Sequence, residues 1–219
     1  MKKQNIICTE PTIDGIQLKM KRYKPRRGEI AEYPVILCHG VLANKHCLDF
    51  GDNSPKLRSL WKKYSLAAYL YEGGNGDLKF DVWVPELRGK RSFKDFECEY
   101  PDTPSKYDWC LDHYIDYDIP VIVNRVMAEY DYSTKVFWIG MSMGGMLAYA
   151  YGETQDGFKN LKGVVTIASP VAFEYNKGWI FEIASRFAPR RVSMKFNFKE
   201  FLEKTHSVSY THLTLPTKA

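Results

Sequence analysis

The chain has 219 residues, a formal net charge of +5 and five cysteines, with 45% hydrophobic and 26% charged residues. That balance is near the globular average, which excludes a disordered chain, and the apolar runs fall short of the ~20 residues that a membrane-spanning helix needs. The cysteines (Cys8, Cys38, Cys47, Cys98, Cys110) are scattered without metal-ligand spacing, and no apolar signal core follows Met1-Lys2-Lys3, so the chain reads as a cytoplasmic protein with free thiols and no bound metal.

A chain of this length can bury one sizeable core. In chain order, Asn5 to Cys8 and Ile16 to Tyr23 flank Asp14-Gly15, a turn signal that predicts an antiparallel hairpin at the N-terminal edge. Pro34-Val35-Ile36-Leu37-Cys38 is a buried strand that ends in His39-Gly40-Val41. Leu57 to Trp61 and Ser65 to Leu70 have helical spacing, and Gly73-Gly74-Asn75-Gly76 stops them. Lys79 to Val84 predicts a further buried strand, followed by a turn through Arg88-Gly89, while Tyr100 to Ser105 reads as a loop at a pocket mouth. Trp109 to Tyr130 predicts a long helix that Pro120 kinks or breaks. Lys135 to Ile139 is a buried strand, Met146 to Ala150 continues as helix, and Leu161 to Pro170 is another buried strand. Strands alternating with helices at this spacing imply a parallel sheet with right-handed crossovers. The basic runs Lys19 to Arg22 and Lys24 to Arg27, with a third between Arg186 and Lys204, read as a solvated face, and no nucleic-acid partner is expected.

Between the strand and the helix after it stands Gly140-Met141-Ser142-Met143-Gly144-Gly145. A bare G-x-S-x-G also occurs in ordinary strand-to-helix turns. The strand before it and the helix after it supply the context of a nucleophile elbow, with Ser142 at the apex. Gly140 and Gly144 are expected to spare the nucleophile's backbone a side-chain clash, and Gly145 to let the helix pack close to the strand. In acyl transfer the loop after the His39-Gly40 strand donates one amide to the developing oxyanion, which makes Val41 the expected donor. Met143, the residue after the serine, supplies the second. Gly40 permits the loop's close approach. His39 is expected to pin its own loop rather than act as the base.

These residues together resemble the α/β-hydrolase-fold serine hydrolases, in the esterase and lipase branch that includes acid-lipase-like proteins. The resemblance is carried by His39-Gly40-Val41, Asp81-Val82-Trp83 with Arg88-Gly89, Asp116 to Pro120, and Gly140 to Gly145, over roughly residues 10 to 173. Met141 stands where many relatives have histidine, and Arg88-Gly89-Lys90-Arg91-Ser92 departs from the commoner Arg-Gly-His-Gly-x-Ser. The resemblance implies an α/β fold with a mostly parallel sheet and an antiparallel N-terminal edge. It also implies hydrolysis of carboxylic esters of lipids or small acyl groups, with no cofactor. A non-catalytic member of the fold that binds an acyl ligand or a partner is the alternative.

In that family the acid and the histidine follow the serine in order. After Ser142 the histidines are His206 and His212, with Glu200 and Glu203 nearby. No further pair of strands is legible past Phe173. Residues 174–206 therefore read as the start of a cap, with peripheral contact to anionic lipid as its expected role. Residues 1–173 are the N-terminal part of the hydrolase core, and 207–219 read as a non-native tail. The expectation is a polypeptide cut within the cap, lacking the later strands and most of the triad, and nearly inactive by itself.

Overall fold

The computed structural model describes residues 6–41, 43–50, 58–74, 76, 78–89 and 109–171. By packing, the chain divides into two units, and the described residues all fall in the first, which comprises Met1–Ser105 and Trp109–Asn176. The expected cap, the tail and the loop at Tyr100 to Ser105 lie outside the described residues.

Six strands form one sheet in the order β1-β2-β4-β3-β5-β6. β1 (Ile6–Cys8), β2 (Lys19–Tyr23) and β4 (Val82–Glu86) run antiparallel to their neighbours in turn. β3 (Val35–Cys38), β5 (Val136–Met141) and β6 (Leu161–Ile167) continue from β4 in parallel. The hairpin turns at Gly15, whose φ of 83° suits glycine. Helices cover both faces, as a parallel sheet requires. On one face Met20, Ile36, Trp83 and Trp138 pack with residues of α5 (Ile119–Ala128) and α6 (Met143–Gly152). On the other, Val35, Leu37, Val82 and Val84 pack with Leu48 of α1 (His46–Asp49) and Ala67 of α3 (Leu66–Glu72). The helix α2 (Arg58–Tyr64) precedes α3, which ends on a left-handed Gly73 at φ 97°. None of the described helices is long and apolar enough to cross a membrane.

Two expectations are corrected. The basic run of β2 is not a solvated face: Lys19, Lys21 and Arg22 are 2%, 3% and 8% exposed. Arg22 forks onto the Asp81 carboxylate at 2.6 Å, pairs with Glu129, and lies 4.4 Å over the Trp83 ring. Lys21 reaches Asp49 at 3.7 Å. In the other direction β6 is not a buried strand. Val165 is 53% exposed, and among the described residues β6 has a neighbouring strand, β5, on one side only. Such an edge offers unpaired backbone groups to any further strand.

The long helix breaks before its proline. α4 (Leu111–His113) passes into a π-helical turn, Tyr114–Asp118, and then into α5. Pro120 has no N–H to give to the preceding turn, and its ring crowds that turn's carbonyl. Opening the register to i→i+5 just upstream relieves both. The π turn leaves Asp118 fully buried and facing Arg88, whose guanidinium it meets at 2.7 Å and whose backbone N–H it accepts at 3.2 Å. Arg88 also reaches Asp14 in the N-terminal hairpin at 2.6 Å. One arginine thus joins the hairpin, the end of β4 and the kinked helix.

Candidate active site

β5 ends at Met141, and α6 begins at Met143. Ser142 makes the whole turn between them, at φ 52° and ψ −118°, a backbone conformation that side-chain-bearing residues rarely adopt. Two hydrogen bonds keep it there. The Ser142 N–H donates to the Ile167 carbonyl at 2.8 Å, at the end of β6, and the Ser142 carbonyl accepts from Gly145 N–H at 3.0 Å. The hydroxyl itself has no hydrogen-bond partner among the described residues.

A Cβ on Gly140 would run into the backbone of Gly144, and one on Gly144 would lie 2.5 Å from the Cys38 carbonyl and 2.7 Å from that of His39. These two residues let the start of α6 settle onto β5 and β3. Gly145, on α6, gives room to Ser169 and to Thr166 of β6. The residue that faces the serine is Gly40. A Cβ there would sit 3.0 Å from the Ser142 Cβ, 3.1 Å from the Met141 carbonyl and 3.5 Å from the Ser142 Oγ. The loop after β3 therefore passes directly against the serine.

Val41 follows Gly40 and is 55% exposed. Neither its amide nor that of Met143 donates a hydrogen bond among the described residues. Met143 is the first residue of α6, where amides have no partner within the helix and carry its positive end. His39 is fully buried and holds its own loop: Nδ1–H donates to the Gly40 carbonyl at 2.9 Å, and Nε2 accepts from Leu87 N–H at 3.2 Å. Glu86 lies behind it, with Oε1 3.1 Å from His39 Nε2 and Oε2 accepting Lys45 N–H at 3.2 Å.

Two thiols stand near this loop. Burial pushes the Cys38 thiol well above its ordinary pKa. Burial also raises Cys47, to about 11, against the pull of the Gly40 amide. Both stay protonated at neutral pH, so neither thiolate rivals the hydroxyl as a nucleophile. A cavity of about 640 Å³ lined by Tyr33, Lys135, Leu161 and Lys162 sits at the opposite, N-terminal ends of β3, β5 and β6, away from the serine.

Among the expected site residues, Gly40 stands against Ser142, Gly140 packs on Gly144, and Gly144 packs on the Cys38 and His39 carbonyls. His206, His212, Glu200 and Glu203 lie outside the described residues. Sequence reasoning missed Glu86, Arg22 and Asp14. The Glu86 carboxylate gave no motif, and the partners of Arg22 and Asp14 are 59 and 74 residues away.

The α/β hydrolase fold family model matches residues 33–198. Among curated proteins, a protein named as a lipase from Schizosaccharomyces pombe is 28% identical over 168 residues, covering 74% of this chain and 33% of its own length. Sterol esterase 2 of Saccharomyces cerevisiae is 28% identical over 155 residues, covering 68% of this chain and 24% of its own. A carboxylesterase structure from the thaumarchaeon Nitrososphaera gargenis superposes with a TM-score of 0.52 at 17% identity, over 98% of this chain and 62% of that one. The chain spans about a third or less of the length of the first two relatives.

Proposed function

The chain belongs to the α/β hydrolase fold family, and from that premise we propose that Ser142 is the nucleophile of a serine hydrolase acting on carboxylic esters. One observation carries the reading: Ser142 is held at φ 52° on a strand-to-helix bend, pressed against Gly40. Val41 follows Gly40 and Met143 follows Ser142, and the backbone amides of both donate to nothing among the described residues. Acyl transfer needs two free amide donors near the nucleophile, because charge develops on the carbonyl oxygen only as the hydroxyl adds.

In this reading the Ser142 Oγ attacks the acyl carbon. The Val41 and Met143 N–H groups stabilise the tetrahedral oxyanion, each donor of this kind being worth roughly 2.7–4 kcal/mol of barrier. The alcohol leaves, and water hydrolyses the acyl-enzyme. A histidine, oriented by an acid, must take the hydroxyl proton. Both are proposed to follow Ser142 in the chain, the acid before the histidine. The lipase and sterol esterase relatives favour acyl esters of lipids or small alcohols as substrates. Residues 174–206 are proposed as the start of a cap that touches anionic membrane, on a cytoplasmic enzyme without a nucleic-acid partner.

The test is a fluorophosphonate probe with the full-length gene product. Stoichiometric labelling mapped to Ser142 by peptide mass spectrometry, lost in Ser142→Ala, is expected. A folded wild-type protein that never labels would leave the fold as a binder of acyl ligands.

A further inference from the structure

Two residues at one end of the sheet share an unusual backbone. Met141 and Ile167 face each other across the parallel pair β5 and β6, and the residue after each is left-handed: Ser142 at φ 52° and Ala168 at φ 50°. Such a turn is costly for any residue with a side chain, so two of them side by side point to a shared cause. They meet at one atom. The Ile167 carbonyl, in the peptide that leads into Ala168, accepts the Ser142 N–H at 2.8 Å and the Ser169 hydroxyl at 3.2 Å. Ser169 reaches the other bond that holds the bend as well. Its side chain fills the space left open by Gly145, where a Cβ would lie 2.1 Å from the Ser169 Oγ and 2.7 Å from its Cβ. Gly145 is the residue whose N–H donates to the Ser142 carbonyl at 3.0 Å. One turn further along α6, the hydroxyls of Tyr149 and Thr166 bond at 2.7 Å and tie that helix to β6.

We propose that Ser169 is a positioning residue for Ser142. The peptide between Ile167 and Ala168 is planar, so its carbonyl has a single aim. The left-handed Ala168 turns the chain back, which lets Ser169 bond to that carbonyl and pack on Gly145. The hydroxyl keeps the carbonyl in line with the Ser142 N–H, and the packing sets how closely the start of α6 approaches β6. One side chain thus braces both backbone bonds of the serine, and Ser169 acts through the bend. Its effect on reactivity rests on the reading of Ser142 as the nucleophile, but the bracing of the bend does not.

Three variants of the full-length gene product separate the two. Ser169→Ala removes the hydroxyl alone. Ala168→Val places a β-branched side chain where the left-handed turn excludes it, and Ala168→Gly takes that turn freely. Ala168 is exposed, so neither of its substitutions disturbs the core. The readouts are hydrogen exchange at the Ser142 amide, referred to that of Ile36 in β3, and fluorophosphonate labelling of Ser142, resolved into maximal rate and half-saturating concentration. Ser169→Ala should speed Ser142 exchange about 3- to 10-fold relative to Ile36, as the loss of one neutral hydrogen bond does, and lower the maximal labelling rate by a similar factor at an unchanged half-saturating concentration. Ala168→Val should change both roughly 10- to 100-fold, and Ala168→Gly should reverse that loss. Wild-type exchange or wild-type labelling rate in Ser169→Ala, an equal rise at Ser142 and Ile36, or a glycine variant no better than valine overturns the proposal. Faster Ser142 exchange in Ser169→Ala with a wild type that never labels upholds the bracing and refutes Ser142 as nucleophile.

Discussion

At the scale of single residues, Ser142 is held where its backbone would not choose to be. A non-glycine residue at φ 52°, ψ −118° costs on the order of 1–3 kcal/mol, met by the bonds to Ile167 and Gly145 and by packing of the turn. Glycine has no such cost at positive φ. Ser142→Gly is therefore expected to raise the stability of the protein, by about 1 kcal/mol in denaturant unfolding, while removing all fluorophosphonate labelling. An equal or lower stability would mean that the bend is unstrained. Gly40 is the counterpart on the other strand: with 3.0 Å to the Ser142 Cβ, even a methyl group must push the two loops apart.

At the scale of elements, the buried arginines tie together pieces that are distant in sequence. Burial pulls the Arg88 pKa down, but its hydrogen bonds to the Asp14 and Asp118 carboxylates outweigh it and raise the net value, so Arg88 stays charged. Burial pushes Asp118 up more than Arg88 draws it down. Removing one partner of a buried pair leaves the other charge uncompensated. Asp118→Ala should cost about 3 kcal/mol in chemical denaturation, at the low end for such pairs because Asp14 still faces Arg88. A loss under ~1 kcal/mol would show that the pair contributes little.

These ties also explain what could and could not be read from the chain. The apolar runs at Val35 to Cys38, Val82 to Val84 and Val136 to Ile139 announce β3, β4 and β5, and Pro120 announces a break in its helix. The same reasoning misjudged β2 and β6. Lys19, Lys21 and Arg22 look like surface because their partners, Asp49 and Asp81, come from segments 28 and 59 residues away for Lys21 and Arg22. The apolar run of β6 reads as buried because periodicity reports what a strand could cover, not what covers it. At the site, the bend and its glycines are local and were legible. The opposition of Gly40 to Ser142 and of Glu86 to His39 arises only when β3, β4 and β5 lie side by side.

At the scale of the whole molecule, acid sensitivity follows from the carboxylates. Burial works to raise Asp49, Asp14 and Glu129, but the hydrogen bonds and cations of His46, Lys45 and Lys21, of Arg88, and of Arg125 and Arg22 prevail and hold all three below their ordinary values. A folded pKa below the unfolded one gives stability that is complete above the unfolded value and is lost as pH falls through the folded one. Asp118, raised, works in the opposite sense. With three groups against one, the melting temperature should hold down to about pH 5 and decline steadily below about pH 4. Replacing Asp49 by Asn should flatten part of that decline, and a variant with an unchanged slope would remove Asp49 from the account.

The amide of Ser142 is fastened to Ile167, a residue that the ribosome adds only after the serine. Until that later stretch is synthesised and docks beside β5, the bend lacks one of the two bonds that hold it at its unusual angles. In the proposed role of Ser142, the growing polypeptide therefore carries an incompletely held bend at position 142 until its supporting edge has been built.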